Sequence, residues 1–209
     1  MPLARLYNEG MTTSDLYAEA LATFDRLFDE AALAGEPDRT AMTVATAGLD
    51  ARPSARTVLL KAHDARGFVF YTHLDGRKGR ELQANPHAAL LFHWPRVRNG
   101  VQVRIEGPVE IVSDDEADAY FASRPRGSQL GAWASEQSRP IANEGELEQR
   151  LVEFTAKFEG GPVPRPPHWS GFRLVPHVIE FWQGMPSRLH RREVYVRDGE
   201  EWRVEVLYP

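Results

Sequence analysis

From residue 42 to residue 112 the chain keeps returning to short apolar stretches that alternate with a period of two and stop at turn residues. Met42, Val44 and Thr46 alternate, and Gly48-Leu49-Asp50 closes that stretch with a turn. Residues 54–61, 68–72, 88–94 and 101–112 follow in the same style. A period of two sends successive side chains to opposite faces of a strand. Short strands joined by turns argue for an antiparallel barrel or closed sheet and against βαβ units. Residues 76–85 break the series with a short helix.

Helices flank this region. The first begins near Thr13 or Ser14, both capping residues. Leu16, Ala20, Phe24, Leu27, Phe28 and Ala31 recur at helical spacing until Gly35 ends the pattern. Residues 114–122 form a second helix, with Ser113 as its cap and Asp114, Asp115 and Glu116 where the helix dipole favours negative charge. Residues 145–158 form a third. Between these two, residues 124–141 are rich in Gly, Ser and Pro and are expected to wind around a site. Proline keeps residues 160–169 extended. Strands return at 171–175, 178–183, 187–196 and 202–207, the last pair joined by an Asp198-Gly199 hairpin. The sum is one α+β domain over residues 1–209, with residues 1–12 a loosely held arm.

Composition narrows the class. Hydrophobic residues at 42% and charged residues at 26% supply a normal globular core. A net charge of −5 argues against a general binder of nucleic acid or anionic membrane. With no cysteine, disulfides, thiolate metal sites and cysteine nucleophiles are excluded. No apolar run approaches the ~20 residues that span a bilayer, and the N-terminus lacks a signal peptide's apolar core. A soluble, cytoplasmic protein is the expectation. P-loop, GxGxxG, HExxH and GxSxG motifs are missing, and the seven histidines are scattered, so no metal is expected.

Within this acidic chain, Arg, Lys, Ser, Thr and Tyr gather in RTVLLK (56–61), YTHLDGRK (71–78), YFASRPRGSQLGAWAS (120–135), EQS (136–138) and FWQGMPSRLHRR (181–192). That chemistry suits phosphorylated small molecules. Arg77 and Lys78 open a helix whose dipole opposes them, unless an anion binds the free N–H groups there. Alone they read as solvated basic residues; Tyr71 and Thr72 add hydroxyls at the same strand end. Alternation turns Arg56, Val58 and Leu60 one way and Thr57, Leu59 and Lys61 the other. Lys61 by itself reads as a snorkelling surface lysine. Tyr120 and Arg124, four apart, share a helix face, with Ser128 four further on beyond Pro125. Phenol, guanidinium and hydroxyl together suit a phosphate ester, though a plain Tyr–Arg pair at a helix end fits as well. On a strand, Arg188, His190 and Arg192 share one face and Leu189 and Arg191 the other. Three potential cations on one face repel unless an anion or electron-rich ring lies opposite. A basic surface strand is the alternative, weakened by the neighbouring Phe181 and Trp182.

In order and spacing, these segments resemble the pyridoxine/pyridoxamine 5′-phosphate oxidase family, from about residue 36 to the C-terminus. The resemblance implies an α+β fold built on a split β-barrel, mostly antiparallel and FMN-binding, with flanking helices. It implies a homodimer with FMN at the interface. The implied reaction is FMN-dependent oxidation of pyridoxamine 5′-phosphate and pyridoxine 5′-phosphate to pyridoxal 5′-phosphate by O2, releasing hydrogen peroxide, and ammonia from the amine. The resemblance assigns FMN to Arg56, Thr57, Val58, Leu59, Leu60, Lys61, Tyr71, Thr72, Arg77 and Lys78. Gln102, Gln137, Ser138, Trp182 and Arg192 complete that set. Lys61, Tyr120, Arg124 and Ser128 are assigned to the substrate phosphate, and Arg188, Leu189 and His190 to the pyridine ring, Arg188 and His190 being the catalytic candidates. Three positions depart from the family pattern: Gly76, where Ser is common; Arg191, where Asp or Asn is; and Val206, where the ending Arg-Leu-x-Pro is. Alternation points Arg191 away from the site. Two rivals are a flavin enzyme of the same fold acting on another substrate, such as a phenazine-type intermediate, and a non-catalytic carrier of FMN or pyridoxal phosphate.

Overall fold

The computed structural model describes residues 13–209, so the arm expected at residues 1–12 lies outside the described residues. The helices are α1 (Thr13–Leu33), α2 (Arg77–Ala84), α3 (Asp114–Ser123), α4 (Arg126–Ala134) and α5 (Glu146–Lys157). The strands of the first half are β1 (Ala41–Ala47), β2 (Pro53–Leu59), β3 (Ala62–Asp64), β4 (Gly67–His73), β5 (His87–Trp94) and β6 (Val101–Ile111). Those of the second are β7 (Trp169–Leu174), β8 (Val178–Gln183), β9 (Arg191–Asp198) and β10 (Glu201–Leu207). No described helix is long and apolar enough to cross a membrane. The described residues divide into two compact units: the first holds residues 13–41 with Leu90–Glu106 and Pro176–Pro209, the second Met42–Ala89 with Gly107–Val175.

In the first unit, the expected stripe of α1 buries Ala20, Phe24, Leu27 and Ala31. Phe24 meets Phe92 and Trp94 at centroid distances of 5.2 and 6.0 Å. Gly35, at φ +71, takes the left-handed conformation that ends the helix. Strands β6, β8, β9 and β10 then pair antiparallel in that order. Their register sets Gln102 opposite Trp182 and Trp182 opposite Arg192, and directly opposed residues project from the same face. The hairpin closes at the Asp198–Glu201 pair, as expected.

In the second unit, β4 pairs antiparallel with β3 and β7, and β7 continues onto the end of β6. Met42, Val44 and Thr46 of β1 point inward as their alternation requires. Phe121, Leu130, Ala132, Val163 and Trp169 form a core cluster beneath α3 and α4. Ser113 caps α3 by accepting from the Glu116 N–H at 3.2 Å.

Residues 124–141, for which no helix was expected, contain α4, and Pro125 stands just before it, where a fixed φ and a missing N–H cost nothing. Two expectations fail, each for a local reason. Tyr120 and Arg124 do not share one helix: α3 stops at Ser123, and Arg124, preceding a proline, is extended (φ −73, ψ 149). Nor do Arg188, His190 and Arg192 share a strand face. Pro186–Arg188 is a 3-10 turn with Ser187 and Arg188 at φ 56 and 60, a conformation no strand continues, and β9 begins only at Arg191.

Candidate functional site

A cavity of about 480 Å3 opens in the second unit. Thr57, Val58, Leu59 and Lys61 line it from β2 and the residues after it, with Tyr71 and Thr72 from β4 and Lys78 from α2. Tyr120 and Arg124 reach it from the end of α3, Ser128 from α4, and Gln137 from the turn beyond. The break at Pro125 therefore separates these residues in backbone conformation without removing any from the cavity. His73, Gly131, Ala132 and Trp169 also line it and were not anticipated. Burial along β2 alternates as expected, with Arg56 and Val58 inward and Thr57 and Leu59 outward.

Aromatic rings build one wall. Tyr71 stacks on Tyr120 at 4.0 Å and on Trp169 at 5.3 Å. The Arg124 guanidinium lies 4.8 Å from the Trp169 ring centre and 5.4 Å from that of Phe121. Burial holds its pKa below the ordinary arginine range. Its Nη1 is buried and has no hydrogen-bond partner among the described residues. A buried guanidinium N–H without an acceptor is costly, and an anion in the cavity would remove that cost.

Lys78 organises a second group of lining residues. Its Nζ donates to Thr72 Oγ1 at 2.8 Å and to Gln137 Oε1 at 2.7 Å. Burial, then the nearby Arg56, push its pKa down to about 8. Behind it, Glu81 accepts from Ser54, from Thr46 at 2.6 Å, from Arg77 Nε at 2.9 Å and from Arg56 Nη2 at 3.3 Å. Burial opposes ionisation of Glu81, but these hydrogen bonds outweigh it and hold the pKa down to about 2. Arg56 and Arg77 are thus committed to Glu81 and brace β1, β2 and α2 together, while Leu60 is buried in the core.

The start of α2 completes the donor set. The Arg77 N–H meets Ser138 Oγ at 3.2 Å, and Gly76 at the N-cap has no side chain with which to cap the helix. An ammonium, two hydroxyls and uncapped helix N–H groups fit a phosphate monoester, such as that of FMN. Nearby, His73 is only 7% exposed and stacks on His168 at 5.2 Å. Burial, then His168, Lys78 and Arg124, hold its pKa down to about 4, so it is neutral at pH 7.

The remaining sequence-predicted residues belong to the first unit. Gln102, Trp182 and Arg192 form one row across β6, β8 and β9. Arg192 Nε donates to Glu180 Oε1 at 2.7 Å, which raises the arginine's pKa. Arg191, next along β9, projects from the other face, as alternation required. His190 packs 4.6 Å from the Trp182 ring, and its Nδ1 accepts from the Met185 N–H at 3.2 Å. Arg188 and Leu189 are exposed, and Val206 lies exposed on β10 opposite Glu193.

Comparison with known proteins is consistent in both halves of the chain. The family model described as pyridoxamine 5′-phosphate oxidase matches residues 28–158, and that of the pyridoxine 5′-phosphate oxidase C-terminal dimerisation region matches residues 169–209. The pyridoxine/pyridoxamine 5′-phosphate oxidase of Xanthomonas euvesicatoria pv. vesicatoria (strain 85-10) is 60% identical over 198 residues, 94% of this chain and 100% of that protein. That of Xylella fastidiosa (strain Temecula1) is 60% identical over 197 residues, 93% of this chain and 95% of the relative. Among solved structures, PhzG from Burkholderia lata 383, in complex with tetrahydrophenazine-1-carboxylic acid, superimposes with a TM-score of 0.81 at 33% identity. The match covers 100% of this chain and 98% of that one. A pyridoxamine 5′-phosphate oxidase-related, FMN-binding protein from Nostoc punctiforme PCC 73102 shares the fold at a TM-score of 0.63 and 19% identity, over 81% and 87% of the two chains. The fold class is accordingly the α+β split β-barrel.

Proposed function

The chain belongs to the pyridoxine/pyridoxamine 5′-phosphate oxidase family, and from that premise we propose that it oxidises pyridoxamine 5′-phosphate and pyridoxine 5′-phosphate to pyridoxal 5′-phosphate with FMN as cofactor. O2 is the final acceptor, hydrogen peroxide the second product, and ammonia leaves from the amine. The observation that carries this reading is Arg124, whose buried Nη1 lacks a partner on a cavity it shares with Lys61, Tyr120 and Ser128. A phosphate monoester is the acceptor such a group calls for.

FMN, when bound, supplies the two-electron acceptor that the polypeptide lacks. Lys78, Thr72, Ser138 and the first N–H groups of α2 would hold its phosphate, with Thr57, Val58, Leu59 and Tyr71 on the same cavity. Gln102, Trp182 and Arg192 would meet the flavin as one row, Glu180 keeping Arg192 in place. We assign the functional form to a homodimer with FMN at its interface, a reading supported by the match of residues 169–209 to the dimerisation region. Lys61, Tyr120, Arg124 and Ser128 bind the substrate phosphate, so contacts remote from the reacting carbon orient it. Arg188 and His190 position the ring. With Nδ1 accepting from the Met185 N–H, Nε2 is the nitrogen left to donate to the substrate ring's substituents.

The likeness to PhzG supports a second reading, in which the same fold acts on a different ring system. The higher identity to the oxidases, together with Tyr120, Arg124, Ser128, Arg188 and His190 all in place, favours the first. The experiment that decides is to mix FMN-reconstituted protein with pyridoxamine 5′-phosphate in air and follow both products. Pyridoxal 5′-phosphate and hydrogen peroxide are expected in equal amounts. Tight flavin binding with neither product would transfer the chain to the second reading.

A further inference from the structure

Lys78 can only donate hydrogen bonds, so the end of the Gln137 carboxamide that faces it is the oxygen. That oxygen accepts from Lys78 Nζ at 2.7 Å and from Thr72 Oγ1 at 3.2 Å. These are two of the donors assigned above to the flavin phosphate. A phosphate oxygen that draws on them meets a carbonyl oxygen already there, and two acceptors at one donor pair repel.

The contact exists because residue 76 is glycine. A Cβ at this position would stand 2.6 Å from Gln137 Oε1, closer than non-bonded atoms allow. The next atoms, Gln137 Cδ and the His73 carbonyl oxygen, are both at an ordinary 3.4 Å. The backbone does not ask for glycine either: φ −70 and ψ 165 suit any residue. Here glycine makes room for the end of one flexible side chain. The backbone on either side of Gln137 is anchored. Glu136 is paired with Arg139 at 2.8 Å and Arg150 at 3.1 Å, and Ser138, at φ 70, lies against the Arg77 N–H. Motion at this point is left to the Gln137 side chain.

We infer that Gly76 and Gln137 together set the affinity of this site for the flavin's phosphate, through a carboxamide that changes ends. Its oxygen satisfies Lys78 and Thr72 when the anion is away; when the anion is bound the carboxamide swings clear of residue 76 and its amide nitrogen donates. The internal contact is a competitor, so it lowers affinity by whatever it is worth. The inference rests on the FMN reading above and deepens it, making residue 76 an affinity-determining position.

Flavin-stripped protein would be titrated with FMN and, in parallel, with riboflavin, which lacks the phosphate, following flavin fluorescence. Gly76→Ala excludes the oxygen-inward arrangement and is expected to tighten FMN about tenfold, the worth of one modest hydrogen bond given up, with riboflavin unchanged. Gly76→Ser meets the same oxygen and is expected to act in the same direction. Gln137→Glu keeps an acceptor on Lys78, cannot present a donor, and is expected to weaken FMN by about thirtyfold or more. FMN affinity unchanged or weaker in both Gly76 variants, with the unaltered protein binding FMN, sinks this inference alone. An unaltered protein that binds no FMN removes the cofactor reading and the inference with it.

Discussion

The cationic cavity of the second unit and the turn at Pro186–Arg188 in the first are built on opposite plans. In and behind the cavity the fold itself holds most of the cations, Lys61 alone of its lining cations being exposed. Lys78 is tied to Thr72 and Gln137, Arg56 and Arg77 to Glu81, and Arg124 lies over Trp169. In the turn, Arg188 is exposed, sits at φ 60, and makes no hydrogen bond or ion pair among the described residues. His190 has one backbone donor and one ring beside it. Of the charges assigned to phosphate, Lys78 and Arg124 are ordered when the chain folds. The groups assigned to the reacting ring are left for what docks there to order. Affinity and turnover are therefore expected to separate in this chain.

The most direct way to break that separation is a pair of alanine variants read in two assays. Arg188→Ala removes a charge assigned to the reacting ring and is expected to lower kcat about a hundredfold, the size of losing one donor to the charge that develops in the transition state. FMN dissociation constants should stay within about twofold. Lys78→Ala should do the reverse. It removes the ammonium assigned to the flavin phosphate, and a charge-assisted hydrogen bond is worth about 2 kcal/mol, so FMN binding should weaken about thirtyfold. At saturating FMN, kcat should change by less than about threefold. Steady-state kinetics at several FMN concentrations, with fluorescence titration of the stripped proteins, measures both quantities. Equal losses of both kinds in both variants would erase the distinction.

Where the sequence was legible, the signal was local. Strand β8 was expected and observed at residues 178–183, and α2, α3 and α5 begin and end within a residue of their expected limits. Their caps, breakers and periods lie within a few residues of each boundary. Helix α4 was not legible, because RGSQLGAWA carries two glycines and follows a proline. Its order comes from burying Leu130 and Ala132 in the cluster with Trp169, a contact no local pattern announces. The turn before β9 was misread as strand, since nothing in Ser187-Arg188 marks a left-handed pair. In the site, the alternation in residues 56–61 oriented Arg56 correctly but could not reveal its partner Glu81, 25 positions away. His73 passed unnoticed beside Thr72 because a histidine at a strand end is unremarked until burial and a second histidine give it meaning.

Acid sharpens the comparison by the smallest expected effect, because it acts on the braced cavity. His73 is held at about 4, below the 6.5 of a free histidine. The unfolded chain then binds the extra proton between those values, so the stability this group contributes is full above pH 6.5 and is lost as pH falls towards 4. Glu81, held at about 2 against an ordinary 4.5, has the same sign in a lower window, its contribution fading from pH 4.5 towards 2. The two windows follow each other, with His73 first. Between pH 7.5 and 5.5 the His73 contribution amounts to about 1 kcal/mol. Urea unfolding of the flavin-stripped protein at those two pH values should show a loss of that size. His73→Asn should remove most of it while leaving the later decline, which belongs to Glu81, in place. A loss between pH 7.5 and 5.5 that persists undiminished in His73→Asn would assign the first acid step to another group and detach it from the cavity.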